Sequence, residues 1–239
     1  MMPNSDQLVA LLENFLLTPE SDFYLSTILF DPAGGSIDPL KIPELDLGTV
    51  TVDNIDFSIN VKNLSVDGLS NIQVVFNDGN PDIIVDGNNV TFVAKLPNTQ
   101  DGYNRPTEVP ATLQMFGELF VAINGTVMTP GTISINVNSI DDITGLFTAT
   151  EESSGDLGSA LITFASVVVA AEETSSNIQI EVCLDTPLSA TVNKILNQPK
   201  YYEKILAQIN NTAAEPAVLK KLSQFATQAA QNALGGITS

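Results

Sequence analysis

Histidine and tryptophan are absent from the 239 residues, cysteine occurs once, and only nine residues are basic. Each lack removes a class of function. Without histidine the commonest general base and the commonest metal ligand at neutral pH are missing, which takes zinc sites and serine triads out of consideration. The one cysteine, Cys183, cannot make an intrachain disulfide, so the fold must stand on its core. It lies beside Glu181 with no basic neighbour in sequence to favour a thiolate, and it is read as inert rather than as a nucleophile. Nine bases against 28 acids leave a net charge of −19, a surface that repels phosphate, and nucleic acid drops out as a partner. The most apolar window, LGSALITFASVVVAA at 157–171, falls short of the roughly 20 residues that a membrane-spanning helix needs. It reads as a buried strand, with a buried helix as the alternative. Residues 1–17 lack the basic start and uninterrupted apolar core of an export signal, because Ser5, Asp6 and Glu13 intervene. Together with the single cysteine, this points to a soluble protein of the cytoplasm rather than a secreted one.

What is present is a hydrophobic fraction of 44%, enough for a sizeable core in a single domain spanning 1–239. Charge divides the chain. Residues 1–193 carry 26 of the acids and four of the bases, whereas residues 194–239 carry five lysines and two glutamates. The acidic body is punctuated by Asn, Asp and Gly, and the basic tail is rich in Ala, Gln and Lys, so secondary structure should change between them. Residues 1–18 read as a short amphipathic helix, with apolar residues at 8, 9, 11, 12, 15 and 16 behind Ser5 and a stop at Pro19. From about 37 to 185 the spacing is that of strands. Val50 and Val52, then Ile55, Phe57, Ile59 and Val61, then Leu64 and Val66 alternate, with slips of parity at Asp53-Asn54 and Lys62-Asn63. Both slips are read as β-bulges in one long bent strand. Further strands are expected around Ile72–Phe76, Val90–Leu96, Leu113–Val127, Ile133–Val137, 161–170 and Ile178–Leu184, joined by turns such as Asp86-Gly87-Asn88. Over 187–236 helices return, with Pro199 and Pro216 at first-turn positions and Gly235 at a stop. In the last helix Val218, Leu222, Phe225, Ala229 and Ala233 make a stripe that Leu219, Ala226, Ala230 and Leu234 widen. The expected architecture is α+β: a long, strongly bent antiparallel sheet wrapped around a long C-terminal helix.

Chemistry-bearing constellations are few. Glu151-Glu152 and Glu172-Glu173 fall in Ser/Thr/Gly-flanked turns and read as solvated charges. Asp78, Asp82 and Asp86 offer hard oxygen ligands, but their spacing of four and the missing bidentate Glu favour a hairpin turn over calcium. No glycine-rich phosphate or dinucleotide fingerprint occurs, so no cofactor and no metal is expected, and the chain is read as non-catalytic. Lys194, Lys200, Lys204, Lys220 and Lys221, with Tyr201 and Tyr202, offer a candidate membrane-docking face, but the lysines read rather as the wet side of an amphipathic helix, and the acidic body opposes docking. Four Asn-x-Ser/Thr triplets, at Asn63, Asn89, Asn124 and Asn210, are what chance supplies in an Asn-rich chain.

One stretch carries more information. Residues 37–74 contain Asp38-Pro39-Leu40, Ile42-Pro43 and Asn63-Leu64-Ser65-Val66-Asp67-Gly68-Leu69-Ser70. This order resembles the proline-marked entrance and first strand of the insect takeout and juvenile-hormone-binding proteins and of the mite group 7 allergens. Those belong to the tubular lipid-binding (TULIP) superfamily. The resemblance implies that the proline segment leads the first long strand into a curved sheet around the C-terminal helix, leaving an apolar tunnel between them. It implies a non-catalytic carrier of a lipid or other elongated hydrophobic ligand. Phe57, Ile59, Phe92, Phe120, Ile135, Phe164, Leu222 and Phe225 are the expected lining. The alternative is a structural or interaction module whose interior is filled and whose acidic surface binds a protein. A transient membrane or protein partner and self-association stay open, because a filled core and a tunnel use the same residue types.

Overall fold

The computed structural model describes residues 39–69, 73–74, 76–77, 80–96, 112–128, 130–151 and 160–235. The helix expected over 1–18, Ile72, Asp78 and Glu152 lie outside the described residues, as do the side chains of Ala229, Ala230, Ala233 and Leu234. In chain order the strands are β1 (Leu40–Val52), β2 (Ile55–Asp67), β3 (Gln73–Val74), β4 (Phe76–Asn77), β5 (Asn80–Pro81), β6 (Ile83–Asp86) and β7 (Asn89–Leu96). They continue as β8 (Leu113–Ile123), β9 (Thr126–Val127), β10 (Gly131–Val137), β11 (Ile140–Glu151), β12 (Ala160–Ala170) and β13 (Ile178–Cys183). Three helices follow: α1 (Ser189–Leu196), α2 (Pro199–Ala213) and α3 (Pro216–Gly235).

Asp53 and Asn54 have φ of 50° and 61°, the paired left-handed conformation of a two-residue type I′ turn. The slip of parity there is therefore a hairpin between β1 and β2, not the expected bulge in one strand: the chain reverses. The slip at Lys62-Asn63 is a bulge, as expected. Pairing of β2 with β8 shifts between Lys62 and Ser65, and Asn63 has φ of 52°. Pro43 stands in β1 between Ile42, which faces Leu64, and Glu44, which faces Lys62, so the residue across from it is the bulged Asn63. A proline is tolerated at such a place on an edge strand, where no ladder bond needs its missing amide. The proline segment is thus strand from Leu40 onward.

Among the described residues every pairing is antiparallel. Six strands form a first sheet in the order β1-β2-β8-β10-β13, with β9 folded back on β8 through Asn124-Gly125. Five form a second in the order β12-β11-β7-β3, with β6 on β7, and β4 pairs with β5 separately. The expected antiparallel α+β architecture is present, its strands divided between sheets. The long C-terminal helix lies along β12. Strand β11, central in the second sheet, has no counterpart among the expected strands. Its sequence IDDITGLFTATE hides the buried row Ile143, Gly145, Phe147 and Ala149 behind two aspartates and a glycine. The glycine is there for space: a Cβ at Gly145 would run into the Phe92 ring. Strand β12 is buried on one side only, with Ile162, Phe164 and Val169 inward while Leu161 and Val168 are 38% and 53% exposed. Ala165 is the extra residue at the register shift opposite Leu146-Phe147, and past it the inward parity changes.

Candidate functional site

Strands β12 and β13 end their sheets and would each present a row of unpaired amides and carbonyls. Helix side chains complete these edges. Asn210 of α2 donates its Nδ2 to the Val169 carbonyl (2.9 Å) and accepts the Val169 amide at Oδ1 (2.6 Å), so one carboxamide supplies both bonds of a missing strand partner. Asn197, just past α1, does the same for Ile180 of β13 at 2.7 and 3.1 Å. On α3, Ser223 Oγ accepts the Phe164 amide at 2.8 Å. Thr227 Oγ1 accepts the Ile162 amide at 2.8 Å and donates to the Ile162 carbonyl at 3.1 Å. From α2, Lys204 Nζ donates to the Leu47 carbonyl on β1 at 2.7 Å.

Between the second sheet and the last two helices lies a cavity of about 80 Å³. Its walls are wholly apolar. Phe92 of β7, Ile140 and Ile143 of β11, and Phe164, Val167 and Val169 of β12 form the sheet side. Ile209 and Ala213 of α2 and Val218 and Leu222 of α3 form the roof, and Leu40, Leu69 and Leu113 complete it. Phe92, Phe147 and Phe164 stack behind it as tilted and edge-on rings with centroids 5.4 to 6.5 Å apart. With no polar group on its walls, the space offers water no hydrogen-bond partner. It is well below the roughly 300–1,000 Å³ of sites that bury a small molecule. Outside α3, an open groove of about 890 Å³ runs between that helix and β12. Leu161, Ile162, Phe164 and Leu219 give it an apolar floor, and Lys220, Gln224 and Gln228 a polar side. Phe164 lines both spaces.

Of the expected lining, Phe92, Phe164 and Leu222 meet at the cavity. Phe57, Ile59 and Ile135 are buried in the core of the first sheet and do not reach it. Phe225 is partly buried on α3, against the core but outside the cavity. Phe120 needs correction: Leu119 and Val121 take the inward positions of β8, which sends Phe120 to the opposite face under Lys62 Nζ, 5.3 Å from its ring centre. Sequence reasoning missed Ile140 and Ile143 with their strand, and Ile209 and Ala213, although Ile205 and Ile209 are spaced as one helical face. Tyr201 and Tyr202, weighed with the lysines as a membrane-docking face, are both buried, and burial pushes both phenols above their ordinary value. Lys200 and Lys204 lie over the Tyr201 ring at 4.8 and 5.9 Å. All four Asn-x-Ser/Thr asparagines have structural work: Asn63 at the bulge, Asn89 accepting the Thr148 hydroxyl across the β7–β11 pair, Asn124 in a turn and Asn210 on the β12 edge. Cys183 is exposed at the end of β13. Among the described residues no His, Cys, Asp and Glu side chains gather in threes, and no helix is long and apolar enough to cross a membrane. No ionisable group lines the cavity, so what this arrangement can do is exclude water and hold apolar surface.

No protein-family model and no curated protein matches the chain. Among solved structures, the chain is similar to the crystal structure of Epiphyas postvittana Takeout 1, at 11% identity and a TM-score of 0.39, over 96% of this chain and 91% of that one. It is also similar to the crystal structure of lipopolysaccharide binding protein, at 9% identity and a TM-score of 0.37. That match covers 89% of this chain but only 38% of the other.

Proposed function

We propose that this chain is a non-catalytic binder of a lipid or other elongated apolar molecule, held between the second sheet and α3. The observation that carries this reading is the cavity walled only by aliphatic and aromatic side chains beneath the last helix. A core with no binding role gains by closing such a space, because lining atoms that face a void lose their dispersion partners. Phe92, Phe164 and Leu222 are the residues that first touch the ligand in this reading. Apolar burial stabilises at about 25 cal/mol per Å² before ordering costs, so an acyl chain needs no charged anchor. The small volume favours the second reading, a filled interaction module, and one experiment separates the two. Purified protein is extracted with organic solvent for mass spectrometry, then delipidated and melted with increasing palmitate or phosphatidylcholine. Copurified lipid and a melting temperature that climbs with ligand concentration are expected, since the ligand binds the folded state alone. Empty extracts and a flat melting temperature would establish the interaction module instead.

A further inference from the structure

Strand β12 is more apolar than its place in the sheet requires. An antiparallel strand with one wet face alternates apolar and polar residues, as β2 and β10 do, whereas a near-continuous apolar run belongs to a strand covered on both faces. The sequence ALITFASVVVA of β12 is of the second kind, yet Ile162, Phe164 and Val169 are buried on one face while Leu161 and Val168 on the other are 38% and 53% exposed. Register carries that open face across the second sheet. Val168 stands opposite Thr144 of β11, and Thr144 opposite Val93 of β7. One step along, Ser166, Leu146, Thr91 and Ile84 form a row over four strands, with Ile84 63% exposed. Thr148 with Thr163 and Thr150 with Leu161 follow. None of these side chains is charged. Asp86, Lys95 and Asp142 stand at the border of the face, and Lys220 of α3 lies across the groove beside Leu161. The outer face of the first sheet is the contrast, with Glu44, Asp46, Asp67, Glu118 and Glu181 among its outward residues.

We propose that the uncharged face of the second sheet is where a second copy of this chain docks, sheet against sheet, in a two-fold dimer. Charge selects the occupant. Each chain carries −19, so two copies repel over most of their surface and meet at least cost where neither presents a charge. A basic partner would gain from the acids elsewhere and nothing here. Size sets the strength. With strands about 4.8 Å apart and a rise of about 3.4 Å per residue, the face covers on the order of 500 Å². Two copies then bury on the order of 1,000 Å², the lower limit for a specific interface, and the dimer is accordingly weak and reversible. The cavity walled by Phe92, Ile143 and Phe164 is on the other side of this sheet, so docking does not depend on a ligand there.

Sedimentation velocity of the whole chain, from micromolar to near-millimolar concentration, tests the docking. The weight-average mass is expected to climb toward twice that of one chain. The dissociation constant should be lower by a factor of roughly ten in about 1 M than in about 0.01 M sodium chloride, because screening removes like-charge repulsion and leaves apolar contact. Val168→Glu and Ile84→Glu change exposed side chains at opposite margins of the face, so each should keep wild-type circular dichroism and weaken the dimer at least tenfold. Phe116→Glu, at a side chain 49% exposed on the first sheet, should leave the dimer as it is. Protein that stays monomeric at every concentration and salt would overturn the proposal and mean that another kind of partner covers the face. A dimer that tolerates Val168→Glu or Ile84→Glu, or that is lost with Phe116→Glu, would overturn the choice of face. One that weakens as salt rises would overturn it too, since ion pairs would then hold the copies together.

Discussion

Gly145 shows how much a single position carries. It lies in the buried row of β11 with the Phe92 ring against it, and Phe92 in turn packs with Phe147 and Phe164 at the cavity wall. Gly145→Ala adds a methyl group that neither ring nor strand can absorb in place, an overpacking that costs about 1–3 kcal/mol. Urea unfolding should show that loss at unchanged slope. A variant as stable as wild type would mean that Phe92 has room to swing away and that the cavity is larger in solution. The two buried tyrosines lead to a pH dependence. Desolvation disfavours the phenolates and holds both groups above the ordinary 10.0. As pH rises past that value the unfolded chain gives up these protons first, so stability is complete below about pH 10 and is lost as pH climbs through the folded values. Tyr201→Phe and Tyr202→Phe should each flatten the alkaline decline in melting temperature relative to wild type. A parallel decline would show that other groups cause it.

At the scale of elements, the sheets depend on helices to finish their edges. Asn197 and Asn210 each satisfy a buried strand amide and carbonyl at once. Replacing either with Ala leaves two backbone groups without partners, at about 1–3 kcal/mol. Replacement with Asp keeps the acceptor but loses the donor, and should fall between Ala and wild type in urea unfolding. If Asn210→Ala proves neutral, water replaces the carboxamide and α2 is not needed to close β12. The element reading from periodicity fails where this logic is invisible. Strand β11 has the right alternation at Ile143, Phe147 and Ala149, but Asp141, Asp142 and Gly145 have low strand propensity, and only its central place between β7 and β12 explains them. The hairpin at Asp53-Asn54 was open to a bulge reading because both devices change parity, and only the pairing of Val52 with Ile55 distinguishes them.

At the scale of the molecule, a net charge of −19 on 239 residues sets up self-repulsion that the compact state concentrates. Raising sodium chloride from 0.01 to 1 M shortens the screening length from about 30 to about 3 Å. The melting temperature should rise, by about 2–4 °C for each kcal/mol of repulsion relieved in a chain of this size. Differential scanning calorimetry at the two salt concentrations measures it. A fall would mean that attractive pairs between the acidic strands and the five lysines of residues 194–239 outweigh the repulsion.

Composition and periodicity by themselves determined the order of strands before helices, the prolines that open α2 and α3, the bulge at Asn63 and the inward rows of β2, β7, β10 and β13. These are local consequences of side-chain alternation and backbone restriction, which act over a few residues and need no partner. Tertiary structure alone decided which buried residues share a wall. Phe57 and Phe92 have the same chemistry and the same alternation, yet one lies in the core of the first sheet and the other at the cavity. Phe120 reads as well as Leu119 until the pairing of β8 with β2 and β10 assigns the faces. A strand's period says that one side is apolar, but which sheet it joins and what lies opposite depend on contacts between residues far apart in the chain, and those exist only once the sheets and helices have met.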